Sequence, residues 1–286
     1  MTPSSFDYYS PATLEEACAI LEKYGGEARV LAGGQSLIPL LKMRFMELPC
    51  LVDISHIPSL SRVEESNGKL HIGSTVRISE LEHSELIRAK YPAIHDAASV
   101  IADPLVRNMG TAGGNVSHGD PSNDLPAVMI ALNATYSLTG PKGSREISAR
   151  DFYKDMLATA AGPYEVLTSI NIPQPVAGQG SCYLKHKKSA GDYSVAGVAV
   201  SLVIKDGICN ACGIGLTSSG PTPLRAKRAE GVLIGHKPLE ADDEAARAVS
   251  EEAEPQSDFY GSEAYKRLTL KLLTSKAIRL AVSRGA

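Results

Sequence analysis

Two glycine pairs, each bracketed by side chains that can hydrogen-bond, constrain this chain more than any other feature. They are Ala32-Gly33-Gly34-Gln35-Ser36 and Thr111-Ala112-Gly113-Gly114-Asn115. Adjacent glycines, with no Cβ in the way, let a backbone aim several N–H groups at one point. Such a concavity binds anions, phosphate above all. Two of them, far apart in sequence, can clasp a pyrophosphate from both sides. That predicts a dinucleotide cofactor and a fold that brings the two bends together.

The common nucleotide fingerprints are missing. Neither pair sits in a G-x-G-x-x-G segment opening a helix, and no G-x-x-x-x-G-K-[ST] occurs, which argues against a Rossmann site and a P-loop. A third pair, Gly25-Gly26, reads as a helix terminator. The net charge of -3 and pI near 6.2 leave no electrostatic footprint for nucleic acid. No apolar run is long enough to span a membrane. The opening stretch has no basic segment followed by an apolar one, so a cytoplasmic location is expected. Of the five cysteines, Cys209 and Cys212 form a C-x-x-C. They fall in a strand-like stretch with no second pair to complete a four-ligand site, so they read as buried strand residues rather than a metal or redox motif.

The 286 residues suffice for one large domain or two medium ones. Thr13 to Tyr24 has helical spacing, with Thr13 and Glu16 forming a capping box. Residues 29–32 read as a short strand entering the first bend, and 36–45 as a helix with Pro39 near its first turn. Strands are expected at 51–54, 69–73 and 165–172, and helices at 78–86 (capped by Ser79), 94–101 and 125–132. The second bend is expected to lie in a long Gly/Asp/Asn/Pro-rich loop running from Asp103 to Asp124, a kind usually kept for function. After a proline/glycine break at 173–180 come strands at 183–187, 195–204 and 208–216 and helices at 224–233, 239–252 and 263–283. Strands first and helices afterward is an α+β signature.

Three segments together carry a resemblance: 31–44 around the first bend, 101–127 around the second, and 185–194, Lys-His-Lys-Lys-Ser-Ala-Gly-Asp-Tyr-Ser. The chain resembles, over nearly its whole length, the flavin subunit of the molybdenum hydroxylases, the family of aerobic carbon monoxide dehydrogenase, quinoline oxidoreductase and xanthine dehydrogenase. The resemblance implies an α+β fold: a two-part FAD-binding domain of the vanillyl-alcohol-oxidase (PCMH) type over residues 1–177, then a smaller domain of antiparallel sheet and helices over 178–286. It also implies non-covalent FAD, with Ala32, Gly33, Gly34, Gln35, Ser36 and Leu37 on one side of the pyrophosphate and Thr111, Ala112, Gly113, Gly114 and Asn115 on the other. Backbone amides of both bends would do the gripping. Asp124 would accept from hydroxyls of the cofactor, Ile101 and Leu167 would wall the flavin ring, and Lys185 and Tyr193 would lie near the isoalloxazine.

On the residues alone, Ile101 and Leu167 read as core rather than as flavin walls, Asp124 also as a helix N-cap, and the lysines from 185 to 188 equally as a solvated edge. His118 and Arg107 carry no assigned role. Gln35 stands where the carbon monoxide dehydrogenases have His, which disfavours carbon monoxide and excludes a histidyl–flavin link, and Ser189 replaces a basic residue.

The implied function is an oxidoreductase subunit with no catalytic residue and no metal of its own. It would take electrons from [2Fe-2S] clusters on a small partner, fed by molybdopterin on a large partner, and pass them to quinone, O2 or NAD. A dimer of heterotrimers is implied, cytoplasmic or peripheral to the inner membrane face. The absence of a cluster-binding cysteine set agrees with this division of labour. The alternatives are a self-contained FAD-dependent oxidoreductase of the same superfamily and a colourless nucleotide-binding scaffold.

Overall fold

The structure is a computed structural model that describes residues 2–285. In chain order the first half contains β1 (Asp7–Tyr9), α1 (Leu14–Lys23), β2 (Arg29–Leu31), α2 (Leu37–Lys42), β3 (Cys50–Asp53), β4 (Val63–Ser66) and β5 (Lys69–Gly73). Six short helices follow: α3 (Ile78–His83), α4 (Glu85–Lys90), α5 (Pro92–Val100), α6 (Pro104–Met109), α7 (Ala112–Ser117) and α8 (Asp124–Ala131). Next are β6 (Thr135–Gly140), β7 (Gly143–Ser148), α9 (Ala149–Phe152), β8 (Tyr153–Asp155), β9 (Ala158–Thr159) and β10 (Val166–Pro173). The second half holds β11 (Gln179–His186), β12 (Ala196–Lys205), β13 (Ile208–Thr217), β14 (Leu224–Arg225), α10 (Lys227–Leu233), α11 (Pro238–Glu252) and α12 (Glu263–Gly285).

Three larger sheets organise these elements, and β8 and β9 pair as a separate two-stranded one. The order β1-β3-β2 makes a small parallel sheet covered by α1, and the order β4-β5-β10-β6-β7 an antiparallel one. Together they form the two-part first unit expected for the flavin domain. The antiparallel sheet β11-β12-β13-β14, backed by α10, α11 and α12, forms the second. No described helix is long and apolar enough to cross a membrane.

Helix α8 explains how the halves join. All eight of its residues are buried, the pattern of a helix enclosed on every side rather than amphipathic. It packs between α5 and strands β12 and β13. A Cβ at Gly215 would lie 2.0 Å from the Ala127 carbonyl oxygen, and one at Gly213 2.1 Å from that of Ala131; glycines on β13 let the helix backbone lie directly on the sheet. Burying side chains such as Leu125, Val128 and Ile130 there stabilises by roughly 1.5–3 kcal/mol each.

Capping decides several boundaries differently from the sequence patterning. Thr13 caps α1 as expected, its hydroxyl accepting from Glu16 N at 3.2 Å. The expected helix over 78–86 divides at His83, because the Ser84 hydroxyl accepts from Ile87 N and starts α4 afresh; Ser79 caps nothing. The expected loop from 103 is helix α6: the Asp103 carboxylate accepts from Leu105 N and Val106 N, and Pro104 occupies its first position. Leu224 pairs with Leu216 in β14, and its helix begins three residues later at Lys227. The C-x-x-C lies on β13 at a bulge, where Val203 pairs with Ala211 and Ile204 with Cys209. The extra residue, Asn210, turns both Cys209 and Cys212 into the core.

Candidate flavin site

The first bend leaves the parallel sheet where β2 ends. Gly34 has φ 70°, a conformation that favours glycine. The backbone amides of Gly33, Gly34, Gln35 and Ser36 have no acceptor among the described residues. Gln35 is exposed and turns its amide back to the Gly33 carbonyl at 3.1 Å. Ser36 opens α2 without a side-chain cap bond, so its hydroxyl is unspent there.

The second bend is built on another plan. Thr111 caps α7, its hydroxyl accepting from Gly114 N at 3.0 Å and its carbonyl from Asn115 N at 2.9 Å. Ala112 N donates to Val76 O and Gly113 N to Ser74 O, at 2.8 and 2.9 Å. Every amide from 112 to 115 therefore has a partner inside the protein, where amides from both bends were expected to reach the ligand. Glycine at 113 serves packing: a Cβ there would lie 2.5 Å from that of Ser74. What the second bend leaves unspent is the Asn115 side-chain oxygen, buried and without a partner. The neighbouring Ser74 and Thr75 hydroxyls are buried and unpartnered as well.

The two bends abut. A Cβ at Gly33 would lie 2.3 Å from the Met109 carbonyl oxygen and 2.7 Å from Gly110 Cα. Arg77 braces the contact by donating to the Asn108 and Met109 carbonyls at 3.1 and 3.0 Å. Arg107 supports the turn before it, donating to the Ile101 carbonyl at 3.0 Å and forking onto the Glu82 carboxylate. The first bend, at Gly33, thus lies against the backbone that leads into the second, at Met109 and Gly110, over 70 positions further along the chain.

The remaining expected site residues divide. Asp124 is the first residue of α8, one position inside the cap residue Asn123. Its carboxylate is buried and accepts from Lys185 Nζ at 2.8 Å and from the Tyr183 phenol at 2.6 Å. Burial pushes the Asp124 carboxyl up from its ordinary value, while Lys185 and the Tyr183 phenol pull it back. Lys185, far from being a solvated edge, also reaches the Val100 carbonyl. Ile101 and Leu167 are each 6% exposed and belong to the main core cluster. Tyr193 is 45% exposed, in the connection between β11 and β12. Its phenol is pushed up by burial and by Asp120, with the Ser36 hydroxyl of the first bend opposing. His118 is half-buried, and burial holds its imidazole below the usual histidine range despite Asp120. Among the described residues no group of three or more His, Cys, Asp or Glu side chains could hold a metal ion.

Sequence patterning alone passes over Tyr183, Thr217 and Ser218. Tyr183 stands two positions before Lys185, so it shares a strand face with a residue already singled out; that alternation is the signal that could have found it. Ser218 has none. It adopts φ 56° at the end of β13, its amide donates to Pro121 O, and its hydroxyl donates to Ser194 O at 2.6 Å beside the Ser122 hydroxyl. It ties the loop after the second bend to the segment carrying Tyr193.

Free amides at 33–36 set against the backbone at 109–110, with a buried, unpartnered asparagine oxygen five residues further on, fit a dinucleotide diphosphate and its sugar hydroxyls. The fold and site define an FAD-binding flavoprotein unit. The chain belongs to the family described as FAD binding domain in molybdopterin dehydrogenase, matched over residues 4–175, and continues into the CO dehydrogenase flavoprotein C-terminal domain, matched over 181–281. It is 42% identical to the carbon monoxide dehydrogenase medium chain of Afipia carboxidovorans, over 100% of this chain and 99% of that one. It is 37% identical to the glyceraldehyde dehydrogenase medium chain of Sulfolobus acidocaldarius, over 98% and 99%. The solved carbon monoxide dehydrogenase from Hydrogenophaga pseudoflava superposes with a TM-score of 0.97 at 38% identity, covering 100% of both chains. The cofactor is FAD, and the chain is a subunit of the oxidoreductase class.

Proposed function

We propose that this chain carries FAD as the electron-exit subunit of a molybdenum hydroxylase complex. It would accept electrons from [2Fe-2S] clusters of a small partner subunit, a large partner holding molybdopterin, and deliver them to quinone, O2 or NAD. The observation that carries this reading is the abutment of the two bends, with the four free amides of residues 33–36 on one wall. Whole-length similarity to medium chains of two dehydrogenases supports it. FAD, when bound, takes up electrons singly and gives them up in pairs.

The chain's own residues bind and orient. Amides 33–36 hold the diphosphate, and the Ser36 and Thr111 hydroxyls and the Asn115 side chain add bonds around it. Asp124 accepts from cofactor hydroxyls with the lone pairs that Tyr183 and Lys185 leave free. Lys185 brings a buried positive charge toward the flavin end, and Tyr193 shields that end from water while Ile101 and Leu167 back it. The acid/base-capable groups here, Asp124, Lys185 and Tyr183, are locked to one another, which suits electron transfer without proton chemistry on a substrate.

We place the unit boundary at residues 177 and 178, between the two matched family segments, and the assembly as a dimer of heterotrimers in the cytoplasm. The test is to express the chain with and without its native neighbours. A yellow protein that releases FAD on denaturation, co-purifies with iron–sulfur and molybdenum subunits, and reduces dyes with an organic substrate only in the complex is expected. Rapid turnover of an organic substrate by the isolated chain would overturn the reading.

A further inference from the structure

The Asp124 carboxylate is held from the second unit, by a residue outside the binding set assigned above. Tyr183 and Lys185 leave the same face of β11. The Tyr183 side chain is 3% exposed, and its phenol donates to Asp124 Oδ1 at 2.6 Å while Lys185 takes Oδ2. The slot for that hydroxyl is built into the sheet: on β12 a Cβ at Gly197 would lie 2.2 Å from the phenol oxygen. On β13 the Thr217 hydroxyl lies 3.2 Å from it and reaches back to the Asn123 carbonyl. Asn123 in turn donates from its side chain to the Asn115 carbonyl at 2.8 Å, so the contacts run unbroken from the sheet of the second unit to the second bend. Filling the space alone would need only a phenylalanine; a buried hydroxyl must find partners.

We propose that Tyr183 is a positioning residue for the cofactor: it fixes the Asp124 carboxylate in one orientation, so that its remaining lone pairs meet hydroxyls of FAD. The inference rests on the reading of Asp124 as a cofactor acceptor. The charged or titratable groups facing Asp124 are Tyr183 and Lys185 from β11, with Lys187 just beyond it. Helix α5 contributes the Val100 carbonyl to Lys185, and β13 contributes Thr217. Burial favours the protonated carboxyl; the phenol's hydrogen bond favours the ion. Without the phenol the carboxyl takes up its proton at a higher pH, so FAD is released earlier as the solution is acidified.

The full chain, stripped of FAD, is titrated with FAD by flavin fluorescence across the pH range in which it stays folded. Tyr183→Phe should bind FAD about tenfold more weakly, the loss of one hydrogen bond to a charged group, with the acid limb of the pH profile moved upward. Incorporating 3-fluorotyrosine at position 183, a stronger donor of the same shape, should restore binding and move that limb below its wild-type position. This second replacement keeps the test open even if Tyr183→Phe fails to fold. An unshifted pH profile in either replacement, alongside weakened binding in Asp124→Asn, overturns the role of Tyr183 and leaves that of Asp124 standing. Normal FAD binding by Asp124→Asn overturns both.

Discussion

Gly33→Ala tests the contact on which the site depends. The added methyl would lie 2.3 Å from the Met109 carbonyl oxygen and 3.0 Å from its carbon. That is about 1 Å short of an ordinary carbon–oxygen contact, and both atoms are backbone, so no rotamer change relieves it. The carbonyl is also an acceptor for Arg77, so moving it loosens the brace between α3 and α6 as well. Overpacking of this kind costs about 1–3 kcal/mol. If the strain is relieved by parting the bends, the same energy is lost from FAD affinity, about 5- to 150-fold in Kd. Flavin fluorescence titration of the apoprotein reads the affinity, and a thermal melt of the same sample reads the stability. Gly25→Ala serves as the control: its Cβ would meet nothing within 4 Å, and only its φ of 60° is unfavourable, so it should lose stability without losing FAD. If Gly33→Ala bound FAD within twofold of wild type and melted at the same temperature, the abutment of the bends would not be what creates the site.

Lys185→Met leaves the Asp124 carboxylate buried without its cation and should cost about 3–5 kcal/mol in urea unfolding. Adding Asp124→Leu should recover most of that stability while FAD affinity stays low, separating the fold's need for the pair from the cofactor's. His118, held below its ordinary value by burial, binds its proton less readily folded than unfolded. Its contribution is complete above its unfolded value of about 6.5 and is lost as the pH falls from there toward its folded value. His118→Gln should therefore flatten the decline in melting temperature over that acid window, and an unchanged slope would show that another group sets it.

The sequence by itself determined the family, through three motif-bearing segments that together carry the resemblance, and with the family the cofactor. A glycine pair alone also ends a helix, as Gly25-Gly26 does after α1, but the side chains around the other two pairs, Ser36, Thr111 and Asn115, are chemically explicit. It also determined the strand-then-helix order of the second half, where hydrophobic periodicity runs long enough to be unambiguous. Helices α6 and α7 were hidden because six-residue helices owe their existence to capping by Asp103 and Thr111 rather than to periodicity. Which amides of the two bends are free was decided only by tertiary structure. A glycine that frees an amide and one that admits a neighbour's backbone are the same letter, and Gly113 proved to be the second kind because Ser74 stands against it. The environment of Asp124 and Lys185 belongs there too. Their 61-residue separation closes only when α8 settles onto glycines of β13, and that contact converts two apparently surface charges into a buried pair that desolvation and mutual attraction hold together.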